Sequence, residues 1–403
     1  MSNGLRLIIH EDHTTPLVSC NVVYNIGSRD ENPNKTGMAH LFEHYMFCGS
    51  KNIADYDLHL QKIGAINNAY TTQDITHYYI TLPANNLETA LWLESDRMLE
   101  LAFLEDQLAI QKNVVIEEFK ENFLNRPYGD MWLCFNDFVY ERHPYKWLPI
   151  GKEISHIEKV TMSDMKEFFS RYYVPNNAVL TVAGNVKREE VISLVEKWFG
   201  DIPAGKTVTK NFPMEQENNQ ARLMEIYREV PSDMLMKGWK MGGRLSPDFY
   251  TYDLISDLFG SGQSSYLYQN LVTENQIFTD ISAYVTATLD PGVFIVGGRP
   301  AEGVTIEEAD RILSEYLFNF NFDLHLEKEL QKVKNRVESI LLGNEIKIED
   351  RASLLGVSEC FSCVEDFENE RDRYFAVTTD QIETLVKSLL VPNKANTLYY
   401  RAK

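Results

Sequence analysis

The sequence predicts an α+β protein whose two halves share one order of elements. Three observations support this. Short apolar runs with the two-residue period of strands are interspersed with longer segments of helical period. At 403 residues the chain exceeds the roughly 250 to 300 residues at which one core stops growing, so two domains are expected. A stretch rich in Gly, Pro, Lys and Asn, residues 200–220, lacks periodicity and separates two comparable series of elements. The boundary is placed at residue 212, giving domains 1–212 and 213–403.

The first half opens with LRLIIHED and VSCNVVYNIGS, which read as strands, followed by a helix around Met38 to Cys48. A further helix, the strands GAINNAY and HYYITLP, and a helix from about Asn85 to Leu101 come next. EDQLAIQKNVVIEEFKENFL reads as a long helix, NAVLTVAG as a strand, and REEVISLVEKWFG as a helix ended by Gly200. After the boundary come strands near ARLMEIYRE and MKGWKM, a helix over PDFYTYDLISDLF, strands ISAYVTATL and GVFIVGGRP, long helices, and the closing strand ANTLYYRA. The strands are expected to pair antiparallel, and the halves to be one fold used twice.

With 44% hydrophobic and 24% charged residues, the chain has an ordinary globular composition, which excludes disordered and fibrous classes. It contains no apolar run long enough to span a membrane, and its start lacks the basic and apolar regions of a secretory leader. A cytoplasmic location without a membrane partner is expected, unless a leader has been removed. The net charge of -20, from 59 acids against 39 bases, argues against nucleic acid, whose affinity comes largely from Lys and Arg on phosphates. The five cysteines are an odd and scattered set, unlike a disulfide framework. Cys360 and Cys363 form a CxxC within a helix-like stretch, with no second Cys or His pair, and a structural role is expected.

The chemistry is concentrated in His40-Leu41-Phe42-Glu43-His44. On a helix, residues four apart project from one face, the spacing two imidazoles need to share one metal ion. Zinc is its natural occupant. Glu43, beside His44, is placed to accept a proton from water rather than to ligate. This HxxEH order inverts HExxH and is a zinc-protease motif, although five residues alone can arise by chance on a solvent-facing helix. A catalytic zinc also needs a third protein ligand, and the later helix offers Glu117, Glu118 and Glu121. At 100° per residue Glu117 falls nearly opposite the apolar face and Glu118 at its margin, which favours Glu118 without deciding the choice.

TGMAHLFEHYMFCGS, NNAYTTQDITHYYITLP and NVVIEEF, in this order and spacing, resemble the pitrilysin and insulinase family of inverted-motif zinc peptidases, most of all its mitochondrial-processing-peptidase branch. GNVKREEV, FGSGQSSYLYQNL and VTTDQIETL also resemble family landmarks, so the likeness runs from about Gly4 to the C-terminus. The resemblance implies one zinc per chain, held by His40, His44 and Glu118, with Glu43 as general base. It implies two related halves, each an antiparallel sheet against helices, and two such chains closing around a peptide-sized chamber. Asn68, Ala69 and Thr71, followed by Asp74, Thr76 and Tyr78, match the family's edge strand, to which a substrate adds as an extra strand. Without the zinc motif an ordinary hairpin strand would be an equal reading of them.

Two positions depart from the family pattern. Gln111 stands where many members carry a glutamate seven residues before the zinc-binding one; its amide can hydrogen-bond a ligand or water but brings no charge. Val272 and Thr279 stand where active members carry an Arg and a Tyr that contact the substrate and its developing oxyanion. The expected function is therefore a zinc metalloendopeptidase subunit that hydrolyses peptides or short unfolded segments with a homologous partner chain supplying that pair. A homodimer using Tyr266 or Arg299 is the alternative assembly, and a non-catalytic structural subunit is the rival function. His10 and His13, an HxxH at a strand end with no nearby helix to fix them, read as surface residues, and His77, His143 and His156, in polar or turn-like contexts, lack partners at ligand spacing. Gly260-Ser261-Gly262 matches no phosphate-binding loop and reads as a connection.

Overall fold

LVSCNVVY and AVLTVAG are apolar at nearly every position, the composition of strands covered on both faces. In the computed structural model, which describes residues 1–320 and 325–403, they are the central strands of a sheet. That sheet contains β1 (Arg6–Glu11), β2 (Leu17–Tyr24), β3 (Ile66–Thr71), β4 (Thr76–Pro83) and β5 (Ala178–Gly184), in the spatial order β1-β5-β2-β4-β3. A second sheet contains β6 (Arg222–Arg228), β7 (Met234–Lys240), β8 (Phe278–Val285), β9 (Val293–Pro300) and β10 (Asn396–Ala402), in the order β6-β10-β7-β9-β8. Strand for strand, the two orders are the same, which is the recurrence the sequence suggested.

One feature of the sheets differs from the expected antiparallel pairing. β1 pairs parallel with β5, and β6 with β10, while every other pair is antiparallel. Parallel neighbours need a long crossover. Here each parallel pair joins the first and last strand of its half, so the whole half serves as the connection.

Contacts divide the chain into two units: Met1–Asn122 with Trp147–Phe212 and Leu342–Glu368, and Phe123–Lys146 with Pro213–Leu341 and Asn369–Lys403. In the first unit, the helices α1 (Met38–Tyr45), α2 (Tyr56–Lys62), α3 (Leu87–Leu99) and α4 (Glu105–Phe119) accompany the sheet. Helix Ile348–Phe361 packs on β2 and β5 at Gly356, where a Cβ would come within 2.9 Å of Thr181 Oγ1 and 3.2 Å of Val23 Cγ2. Cys360 is buried in this helix, and all five cysteines are free. The second unit has its own core, in which Trp239, Phe249, Phe259 and Phe294 are buried. The aperiodic stretch after Gly200 forms no helix or strand before β6. Within it Glu215 accepts the N–H groups of Glu141, Arg142 and His143 at 2.9–3.1 Å and Lys240 Nζ at 2.9 Å. No helix among the described residues is long and apolar enough to cross a membrane.

Candidate active site

Helix α1 begins after Gly37, whose φ of 86° lies in the left-handed region; a Cβ there would come within 2.5 Å of Ile157 Cδ1 and 2.8 Å of Ile150 O. Glycine has no side chain to cap the helix, and the buried Glu31 takes that task by accepting the Gly37 and Ala39 N–H groups. Ala39, Leu41, Phe42 and Tyr45 are buried, with Phe42 among the rings of Phe168, Phe169 and Tyr173. The helix is thereby fixed in rotation, and His40 and His44 share the half-exposed side.

The two imidazoles meet edge to face, with Nε2 atoms 3.3 Å apart. Glu118, near the end of α4, brings Oε2 to 3.8 Å from His40 Nε2 and 3.6 Å from His44 Nε2. Past it the helix widens into a π-helical turn, Lys120–Leu124. Glu117 points elsewhere and pairs with Lys120 at 2.7 Å, and the exposed Glu121 is outside the cluster. A tetrahedral zinc with bonds of about 2.0–2.2 Å would hold its ligand atoms roughly 3.3–3.6 Å apart, and the three donors, at 3.3, 3.6 and 3.8 Å, lie close to that spacing. Burial, and then the neighbouring His44, lower the His40 pKa to about 4, which keeps the ring neutral as a ligand must be. His40 Nδ1 is buried without a hydrogen bond, so packing holds this ring.

Glu43, on the adjoining side of α1, is buried. Burial raises its pKa to about 7, with Glu118 adding to the rise and a hydrogen bond from Thr71 opposing it. A cleft of about 450 Å³ opens beside it, lined by Glu43, His44, Phe47, Asp57, Gln61, Asn67, Asn68 and Gln111. Cys48, the residue four after His44, turns its Sγ to His44 O at 3.8 Å. Asn68, Ala69 and Thr71 lie on β3, an edge strand that among the described residues pairs only with β4. Its side chains alternate, with Asn68 and Tyr70 exposed and Asn67, Ala69 and Thr71 half-buried. The Ala69 N–H is taken by its neighbour Asn68 Oδ1 at 2.8 Å.

The sequence reading missed Glu31 as the cap of α1 and Phe47, Asp57, Gln61 and Asn67 as walls of the cleft. Phe47, one turn after His44, was within reach of the helical period; the others have no local signal. Of the remaining histidines, His77 and His143 are buried, His143 in a bend as its turn-like context suggested. His77 sits inside β4 with its pKa lowered by burial to about 3, and His143 faces Asp290 at 3.2 Å. In the second unit, Val272 packs against the core, and Thr279 Oγ1 donates to Arg299 O at 3.3 Å. Arg299 is itself engaged, its Nε donating to Asp280 Oδ2 at 2.7 Å.

A repeated α+β fold in which an HxxEH helix meets a glutamate from a later helix defines the class of inverted-motif zinc peptidases. The chain belongs to the insulinase family of peptidases, family M16: residues 6–126 match the model described as "Insulinase (Peptidase family M16)" and residues 159–335 that described as "Peptidase M16 inactive domain". It is 30% identical to the zinc protease PqqE of Helicobacter pylori, over 88% of this chain and 81% of that one. It is 24% identical to a probable mitochondrial-processing peptidase subunit beta of Arabidopsis thaliana, over 73% of this chain and 57% of that one. The crystal structure of a protease from Helicobacter pylori superposes with a TM-score of 0.90 at 26% identity, covering 100% of this chain and 98% of the other.

Proposed function

We propose that this chain is the zinc-binding, catalytic subunit of a metalloendopeptidase acting on peptides or short unfolded segments. The observation that carries the reading is the convergence of His40, His44 and Glu118 within 4.8 Å of one another, with the buried Glu43 carboxylate beside them. The zinc proteases among its relatives support it. In this reading His40, His44 and Glu118 hold one zinc ion. Bound there, the ion supplies Lewis acidity, making water acidic near neutral pH and polarising a carbonyl. Glu43 accepts the proton as water attacks the scissile carbonyl and returns it to the leaving amine. Burial excludes competing solvent and keeps this carboxylate basic enough for the exchange. Asn68, Ala69 and Thr71 offer the open edge of β3 to an extended peptide, whose main chain pairs with little demand on its sequence. Gln111 lines the cleft as a neutral hydrogen-bonding group.

Val272 and Thr279 bring neither charge nor phenol, and Arg299 is held by Asp280. We therefore assign the oxyanion donors to a homologous partner chain, with a heterodimer as the working assembly. The rival is a non-catalytic assembly subunit of the same fold. The match described as an inactive domain covers residues 159–335, beyond His40, Glu43, His44 and Glu118. Zinc analysis of the purified chain combined with a peptide-hydrolysis assay separates the two readings. One zinc per chain, stripped by a chelator together with hydrolysis and restored with it, is expected. A chain that binds no zinc, and is inert with every homologous partner, would be the assembly subunit.

A further inference from the structure

Thr71 ends β3, and strand alternation turns its side chain inward, away from the exposed side occupied by Asn68 and Tyr70. There its Oγ1 donates to Glu43 Oε2 at 2.5 Å. The proton has no better destination. Across the strand pair, Thr76 Oγ1 stands 3.4 Å from Thr71 Oγ1, and it gives its own proton to Ile26 O at 3.0 Å. The branched Thr71 side chain has few χ1 choices, and the β3–β4 pairing holds its backbone. Glu43 Oε1 receives no hydrogen bond from the described residues.

We propose that Thr71 is a positioning residue for the base: its hydroxyl locks the Glu43 carboxylate plane through Oε2 and leaves Oε1 free for the attacking water. This rests on the reading of Glu43 as the base. Its consequence is that one strand does two tasks, since the backbone edge that would pair with the peptide also carries the hydroxyl that orients the base. A peptide docked on β3 is thereby registered against a carboxylate fixed by that same strand.

The test compares zinc-loaded wild type, Thr71→Val, Thr71→Ser and Glu43→Gln on one peptide set, with the partner chain present if wild type requires it. Thr71→Val removes the hydroxyl at nearly constant shape. It is expected to lower kcat ten- to a hundredfold, the usual scale for losing a hydrogen bond that orients a catalytic group, while KM and zinc content stay as in wild type. Thr71→Ser should restore kcat. A strand that merely loosened would instead raise KM, because β3 is the docking edge. Unchanged kcat in Thr71→Val, a loss carried by KM, or a serine variant as poor as the valine one would overturn the proposal. If Thr71→Val does not fold, Thr71→Ala makes the same comparison. Glu43→Gln keeps the two levels apart: turnover surviving in it refutes Glu43 as base, whereas its loss beside a normal Thr71→Val refutes only the role of Thr71.

Discussion

Glu31 Oε1 accepts the Ala39 N–H at 2.8 Å while Oε2 accepts that of Gly37 at 2.9 Å, so a carboxyl group from outside the helix caps the helix that carries both histidines. Glu31→Ala strands those donors, and a lost cap costs about 1 to 2 kcal/mol. The variant should melt at a lower temperature and release zinc at a lower chelator concentration, because the first turn of α1 contains His40. Unchanged melting and zinc retention would show that the cap does not position the ligands.

On the proposed reading, Glu43→Gln removes the base and leaves His40, His44 and Glu118 in place. Zinc content should equal that of wild type, and turnover should fall by at least about a hundredfold, the lower range for losing a general base. Loss of the metal in this variant would place Glu43 among the ligands instead.

The two glutamates at the end of α4 differ in direction. Glu118 Oε2 is 3.6 Å from His44 Nε2, whereas Glu117 pairs with Lys120. Glu118→Gln should therefore weaken zinc retention strongly and Glu117→Gln hardly at all, as measured by competition with a chromogenic chelator. Equal effects would mean that Glu118 is not the third ligand.

Glu215 ties the aperiodic stretch to three backbone N–H groups and to Lys240. These bonds outweigh the opposing effect of burial and lower its pKa from 4.5 to about 2. A depressed folded-state value stabilises the protein above pH 4.5, and that contribution is lost as pH falls through about 2. Glu215→Gln should cost about 1 to 3 kcal/mol at neutral pH. The difference from wild type should shrink in acid-unfolding measurements between pH 4.5 and 2. A constant difference across that window would rule out the ionised form as the source.

Val272 and Thr279 leave the second unit without an oxyanion donor at the places the family uses. One preorganised donor is commonly worth about 2.7 to 4 kcal/mol, or a hundred- to a thousandfold in rate. Adding a homologous chain that carries the Arg and Tyr should raise kcat on that scale. Full activity of the chain alone, unchanged by the partner, would show that other donors serve.

Features encoded over short distances were legible in the sequence. The apolar runs of β2 and β5 announce central strands because both strand faces must be covered. His40 and His44 share a face because 3.6 residues make a helical turn, whatever the rest of the chain does. The order of elements in the two halves could be read from alternating periods without knowing which strands pair. Tertiary structure alone decided whatever joins residues far apart. The parallel pairing of β1 with β5 and β6 with β10 depends on how each half closes on itself. Glu31 reaches α1 across a turn that carries no periodic signal. Helical period already favoured Glu118 over Glu117, but the approach of Glu118 to His40 and His44 depends on the rotation of α4 against α1. Thr71 shows the division most sharply. Its place in a strand follows from β-propensity, but its hydrogen bond to Glu43, a residue 28 positions earlier, exists only because the sheet carries that strand's inward face to the helix.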